Sequence, residues 1–333
     1  MDAAFGLSVP QAPSAWILGS GKIGHEIHCK AIASALGLIT DYRLIAPRLL
    51  FRGLAPFGPI DPKDSPKHPG SVLAPPFPDI AIAAGRTTVP YLRHIKKASN
   101  GRTFTIFLQD PRAGLGVADF IWVPEHDPLR GPNVMTTLTS PHSIGPADLS
   151  AARRFPDPRL VRLPQPRTAV ILGGNSAHHQ FTKGDIARLR EIVHGILANI
   201  GSVMITPSRR TPPALMEALR AEAESFPSRC FIWDGEGDNP YLGILAMAHS
   251  IIVTGDSVNM VGEAAATGVP VHVFEPSGGH PKVTGFVDEL VKRGAVRRWS
   301  GALEQWHYEP IDATEEIAAE ISKRYAQFKQ TLS

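Results

Sequence analysis

Residues 250–275, SIIVTGDSVNMVGEAAATGVPVHVFE, leave little freedom in how this chain can fold. Ile251, Ile252 and Val253 form a short β-branched apolar run, the pattern of a strand buried on both faces. Thr254-Gly255-Asp256-Ser257 reads as a polar turn whose Asp256 and Ser257 can cap a following helix. Val258, Val261, Ala264 and Ala265 then recur at helical spacing, Gly268 closes the helix, and Pro270 prevents its continuation before the next apolar run, 271–274. Such a unit belongs to a parallel sheet and directs Gly255, Asp256, Ser257 and the first-turn N–H groups to its carboxyl edge. Ligands of open α/β sheets bind at that edge, and phosphates favour helix N-termini.

The same alternation runs along the rest of the chain. Strands are expected at 15–18, 42–45, 78–86, 103–108 and 120–123, with helices at 26–36 and 88–98. The second half repeats the pattern, with strands at 168–172, 202–206 and 231–233 and helices at 183–199 and 213–223. The expected fold is α/β: two doubly wound Rossmann-like domains facing a cleft. Residues 14–155 form the first, read as the acceptor side, with the polar helix 314–330 packing back on it. Residues 167–305 form the second, read as the nucleotide side. Residues 1–13 read as a polar leader, and 52–78, crowded with Pro, Gly and Lys, as irregular structure. Residues 145–166 place five prolines among arginines and read as a solvated linker.

At 333 residues the chain can bury two sizeable cores. A net charge of +3 with mostly scattered basic residues, no RNA-binding aromatic signature and no zinc-finger spacing argues against a nucleic-acid partner. Cys29 and Cys230, far apart in sequence, give no disulfide framework and fit a reducing compartment. No apolar run reaches transmembrane length, and the N-terminal residues lack a basic region followed by a hydrophobic core. The expected location is therefore cytoplasmic, with peripheral attachment to the inner membrane compatible.

Gly19-x-Gly21-x-x-Gly24 matches the dinucleotide fingerprint between a strand and a helix, and Asp41 lies near the distance of a ribose-binding acid. An NAD site is thus a competing reading. Against it, Asp41 is expected at the start of the second strand rather than its carboxyl end, and Lys22 and His25 make the turn basic. A P-loop is excluded by Trp16 and Ile23 at positions that need Gly and Ser or Thr. His25-Glu26-Ile27-His28 lacks the spacing of a zinc helix, and no metal ligand set is expected. Tyr325-x-x-x-Lys329 lies on the terminal helix, away from any sheet edge.

Glu125-His126-Asp127 places titratable groups at a strand end, where a general base belongs, although a solvated turn reads equally well. Gln109 and Arg112, around Asp110, either contact substrate or hold their own turn. Ser208-Arg209-Arg210-Thr211 sits at a strand end before a Pro-led helix, which suits a diphosphate through charge-assisted bonds. Gly173 and Gly174 would let backbone approach a ligand closely. Glu263, near Met260 on the central helix, could accept hydrogen bonds from ribose hydroxyls.

With these residues assembled, the chain resembles one family over about 15–300: the plant elongated-mitochondria fission factor and its bacterial relatives. The resemblance is carried by GKIGHE, PDIAIAAGR, GRTFTIFLQDPR, VPEHD with GPNV, ILGG, TPSRRTPP, WDGEGDNPYLGILA and VTGDSVNMVGEAAATGVPV. That family's pattern is in turn similar to the two-domain glycosyltransferase-B fold, in which Glu263 to Pro270 would be the donor-nucleotide element. The resemblance implies a nucleoside-diphosphate sugar as ligand, needing no further cofactor, and transfer of the sugar to a hydroxyl acceptor without a metal. Arg209, Arg210 and the amides after Gly255 would hold the diphosphate and Glu263 the ribose, with His25, His126 or Asp127 as base. Two alternatives follow from the same family. Plant relatives are associated with recruiting a dynamin-type GTPase to mitochondria, which implies a non-catalytic scaffold with a protein partner. Bacterial relatives have been labelled nucleoside-diphosphate-sugar epimerases, which would use NAD.

Overall fold

A computed structural model describes residues 12–332; the expected leader at 1–13 falls almost wholly outside the described residues. Contacts divide the chain into two compact units. One runs up to Ser143 and resumes at Ala313, and the other is Ile144–Asp312.

The first unit is built from β1 (Ser14–Gly19), α1 (Ile23–Ala35), β2 (Ile39–Leu44), α2 (Leu49–Leu54), β3 (Ile80–Ala83), α3 (Val89–Ala98), β4 (Phe104–Leu108), β5 (Phe120–Pro124) and β6 (Val134–Thr137). The second contributes α4 (Pro146–Arg154), α5 (Pro158–Val161), β7 (Arg167–Leu172), α6 (Lys183–Asn199), β8 (Ser202–Pro207), α7 (Pro213–Ser225), β9 (Cys230–Ile232) and α8 (Tyr241–Met247). It continues with β10 (Ser250–Thr254), α9 (Val258–Ala265), β11 (Val271–Phe274), α10 (Pro281–Lys292) and β12 (Val296–Arg298). The chain closes with α11 (Thr314–Gln330), which belongs to the first unit.

Each unit holds a six-stranded parallel sheet. The first has the order β2-β1-β3-β4-β5-β6 and the second β12-β11-β10-β7-β8-β9. Both sheets reverse winding direction once, between β1 and β3 and between β7 and β10, and an open α/β sheet leaves a crevice at the carboxyl ends of such a pair. Strand pleating assigns the side chains to two layers. Ala15, Ile17, Ile80, Ile82 and Phe104 pack with Ile317 and Ile321 of α11 on one face of the first sheet. Trp16, Leu18, Ala81, Ala83 and Phe107 pack with α3 on the other. In the second unit Val170, Leu172, Val203 and Ile205 pack beneath α6 and α7. α6 starts where its sequence says it must, with Thr182 and Asp185 exchanging the two bonds of a capping box.

Four local expectations are corrected. Residues 145–166 are not a solvated linker: Pro146 and Pro158 occupy first-turn positions of α4 and α5, where a missing N–H costs nothing. Arg153 donates to the Ala246 carbonyl, Arg167 is buried, and Arg159 pairs with Asp157 at 2.6 Å. Asp41 is not at the start of β2 but in its middle, paired with Arg43 at 2.6 Å. Within 52–78, α2 and a single 3-10 turn at Pro62–Asp64 interrupt the irregular chain. Finally, neither Asp256 nor Ser257 caps α9. Ser257 occupies the cap position without a side-chain bond, because Asp256 turns back into the sheet edge.

Candidate functional site

At the β7/β10 switch point the turns after β7, β8 and β10 are bonded into one network. The Gly173 N–H donates to Thr254 Oγ1 at 2.7 Å, and the Gly174 N–H donates to Asp256 Oδ2 at 2.8 Å. Thr254 in turn donates its hydroxyl proton to Asp256 Oδ1 at 2.7 Å. The Asp256 carboxylate is fully buried, and Arg210 Nη2 reaches it at 3.2 Å. Arg210 also donates to the Gly174 and Asn175 carbonyls, both at 3.3 Å. Ser208 and Thr211 donate to the Gly173 carbonyl at 2.8 and 2.5 Å.

The two glycines are explained by protein contacts. A Cβ on Gly173 would overlap the Asp256 carboxylate, and one on Gly174 would overlap the Arg210 carbonyl. So Gly173, Gly174, Ser208, Arg210, Thr211 and Asp256 come together, but as a braced turn in which Arg210 is largely committed to protein acceptors. Arg209 extends from the same turn with an exposed side chain. Gly255 lies against Val273, and the α9 N-terminus follows Ser257 at this edge.

Met260 and Glu263 are half-buried on α9. Tyr241, at the start of α8, donates to Glu263 Oε2 at 2.5 Å. Burial pushes the Glu263 carboxyl up to about 7, against the Tyr241 hydrogen bond, and burial beside Glu263 holds the phenol well above its ordinary range. The pair therefore keeps on α9 a carboxyl group that takes up a proton near neutral pH.

In the first unit, the glycine turn after β1 is filled by its own side chains. The Gly21 N–H and the Tyr42 hydroxyl both donate to Glu26 Oε1, at 3.0 and 2.6 Å, and the Tyr42 ring lies over Gly19 where a Cβ would be. Burial and the Glu26 carboxylate push the Tyr42 phenol up to about 12. A carboxylate already on the Gly21 amide opposes a pyrophosphate there, so the glycine fingerprint has a structural use in this chain. Gly24, in the first turn of α1, has no neighbour near its missing Cβ.

Beside this turn a cavity of about 500 Å³ opens at the β1/β3 switch point, lined among others by Lys22, His25, Leu44, Arg52, Gly85 and Arg86. His25 Nδ1 lies 3.4 Å from Ser20 Oγ and packs on Gly85, whose φ of 91° requires glycine and where a Cβ would lie 2.5 Å from that nitrogen. Burial first, then Lys22, lowers the His25 pKa, leaving a neutral imidazole able to accept a proton.

His126, Asp127, Gln109 and Arg112 stand at neighbouring strand ends and are not among the residues lining this cavity. The Asp127 N–H bonds the Pro124 carbonyl at 2.9 Å, and Arg130 binds the Glu125, Asp127 and Leu129 carbonyls. The turn after β4 is held by Asp110, which accepts the Arg112 N–H at 2.7 Å, with Gln109 and Arg112 at φ of 114° and 53°. Two non-glycine residues in that region are strained conformations of the kind that cluster at functional sites. Among the described residues no group of three or more His, Cys, Asp or Glu could hold a metal ion. Sequence reasoning missed Tyr241, Arg52 and Arg86. Only Arg86 carried a signal, standing directly after the Gly85 turn.

Comparison with known proteins fits this geometry. The profile of the family described as mitochondrial fission ELM1 matches residues 23–325. The chain belongs to that family. The mitochondrial fission protein ELM1 of Arabidopsis thaliana is 30% identical over 275 residues, 75% of this chain. The chain spans 64% of that plant relative's length. An uncharacterized protein of Rickettsia prowazekii is 27% identical over 290 residues, covering 72% of this chain and 78% of its own. Among solved structures, the UDP-GlcNAc 2-epimerase of Methanocaldococcus jannaschii superposes with a TM-score of 0.54 at 15% identity, covering 93% of this chain and 99% of its own. A UDP-glucosyltransferase of Polygonum tinctorium gives 0.50 at 12% identity, covering 96% and 94%. This ELM1-family chain thus has the fold of glycosyltransferase-B enzymes and the epimerases that share it. No helix among the described residues is long and apolar enough to cross a membrane.

Proposed function

We propose that this protein binds a nucleoside-diphosphate sugar at the carboxyl edge of its second sheet and transfers the sugar to a hydroxyl acceptor. One observation carries the reading. The braced glycine turn and the N-terminus of α9, without a side-chain cap, lie at the β7/β10 switch point, and Arg209 leaves the same braced network with an exposed side chain. An anionic diphosphate suits that combination, because a helix N-terminus and a guanidinium both favour negative charge. Their positive potential would also stabilise a diphosphate leaving group as charge develops on it. Glu263, on the same helix, suits the ribose hydroxyls. Taken by itself, the first unit offers His25 as a candidate base, since it is neutral and lines a cavity. Fold neighbours that act on UDP-sugars support the class of ligand.

Thermal-shift titration with UDP-GlcNAc, UDP-glucose and free UDP tests the reading. Ligand at about 100 times its dissociation constant should stabilise the native state by roughly 2.7 kcal/mol. If no nucleotide or nucleotide sugar raises the melting temperature, the ligand class is wrong and the scaffold alternative stands.

A further inference from the structure

Among the described residues twelve large hydrophobic side chains are exposed, and five of them fall within residues 44–57: Leu44, Leu49, Leu50, Leu54 and Phe57. Leu49 is 83% exposed and Phe57 72%, yet the segment is tied down at both ends. Ahead of α2, Arg48 donates through its backbone N–H and guanidinium to the buried Asp61 carboxylate. Behind it, Ala55 and Pro56 are buried. α2 itself buries no residue. A rigid turn of helix that presents leucines outward, with none inward, is shaped for an apolar phase outside the molecule.

The charge around the patch says which phase. Residues 44–58 contain two arginines and no acid, and with Arg48 paired to Asp61 the cation left to the patch is Arg52. Arg52 stands on α2 and lines the β1/β3 cavity together with Leu44, Lys22 and Arg86. Arg86 donates to the Arg52 carbonyl, and neither guanidinium has a carboxylate partner among the described residues. A second copy of the chain would set these cations against their own kind, and a free phosphate would leave the leucines unexplained. Anionic lipid satisfies both halves: headgroups for the cations, acyl boundary for the leucines. We propose that α2, with Leu44 and Phe57, docks on an anionic phospholipid bilayer, and that the adjoining cavity takes one phosphate headgroup between Lys22, Arg52 and Arg86. The apolar surface of α2 stands independently of the nucleotide-sugar reading, although the headgroup pocket is the same cavity that His25 lines.

Vesicle flotation of the full chain tests it. The protein should float with phosphatidylcholine vesicles containing about one-third phosphatidylglycerol, stay behind with phosphatidylcholine alone, and be released by salt. Leu49→Glu with Leu50→Glu should cut the floated fraction at least about tenfold while the melting temperature holds, since both side chains are already in water. Arg52→Ala with Arg86→Ala should remove the preference for anionic vesicles. The proposal is overturned by equal flotation on neutral vesicles, by no flotation on either, or by a leucine double variant that floats like the parent. It is overturned equally if light scattering finds a dimer that the leucine variant splits, which would give the patch to a second copy. Calorimetry with UDP-sugars on the leucine variant should match the parent, so loss of nucleotide binding and loss of lipid binding are read separately.

Discussion

Asp256 Oδ2 accepts the Gly174 N–H at 2.8 Å, tying the turn after β10 to the turn after β7 across the point where the second sheet reverses its winding. The carboxylate has no access to water and also takes the Thr254 hydroxyl and Arg210. Removing it leaves a buried amide, a buried hydroxyl and a cation without their acceptor. Asp256→Ala should therefore cost about 2–4 kcal/mol, and Asp256→Asn, which keeps one acceptor, about 1–2 kcal/mol. Urea unfolding followed by tryptophan fluorescence measures both. An Asp256→Asn protein as stable as the parent would show that the carboxylate does not hold the turn.

The glycines of the two switch points should respond oppositely. At Gly174 a methyl group meets the Arg210 carbonyl, which is backbone and cannot step aside. Gly174→Ala should destabilise by at least about 2 kcal/mol through overpacking and loss of the turn. At Gly24 nothing lies near the added methyl and the residue is helical, so Gly24→Ala should stabilise by about 0.5–1 kcal/mol. Chemical denaturation of the pair distinguishes a packed glycine from a tolerated one. Destabilisation at Gly24 would contradict the open space around it.

His28 predicts an acid response of the first unit. It is buried with its ring centroid 6.0 Å from that of Trp122, and burial, then His25 and His142, pull its imidazole down to about 4 from an ordinary 6.5. The native state stays neutral while the unfolded chain takes up a proton. Stability is thus intact above about pH 6.5, falls as pH drops toward 4, and levels off below, a loss of about 3 kcal/mol. Denaturant titrations across that range should show the slope in the parent and lose it in His28→Leu. A slope that persists unchanged in the variant would assign it to other groups.

Regular elements were legible because their causes are local. Thr182 and Asp185 mark the start of α6 within the sequence itself, and the β-branched runs of β3, β7 and β10 are buried on both faces. β6 was missed because only Val134 and Met135 of its four residues are apolar, and Val134, Met135 and Thr136 are half-buried on an edge strand. Pro146 and Pro158 misled for a chemical reason: the residue that ends one helix also fits the first turn of another. For the site, the right segments could be read but not their partners. That Gly174 needs Asp256, 82 residues away, and that Arg210 binds that same carboxylate, are tertiary facts.

Those two arginines therefore give the sharpest test of the nucleotide reading. Sequence treats them alike and both are exposed, but Arg210 is bound to Asp256 and two carbonyls. Arg209→Ala should leave stability within about 0.5 kcal/mol of the parent, as surface substitutions do, and weaken UDP-sugar binding by about 1.5–3 kcal/mol through loss of a charge-assisted bond. Arg210→Ala should lower both stability and affinity, because the turn loosens with it. Denaturant unfolding and calorimetry on the two single variants separate these outcomes. Equal affinity in Arg209→Ala and parent would mean that the diphosphate is held elsewhere, and the braced turn would then be a purely structural joint of the second sheet.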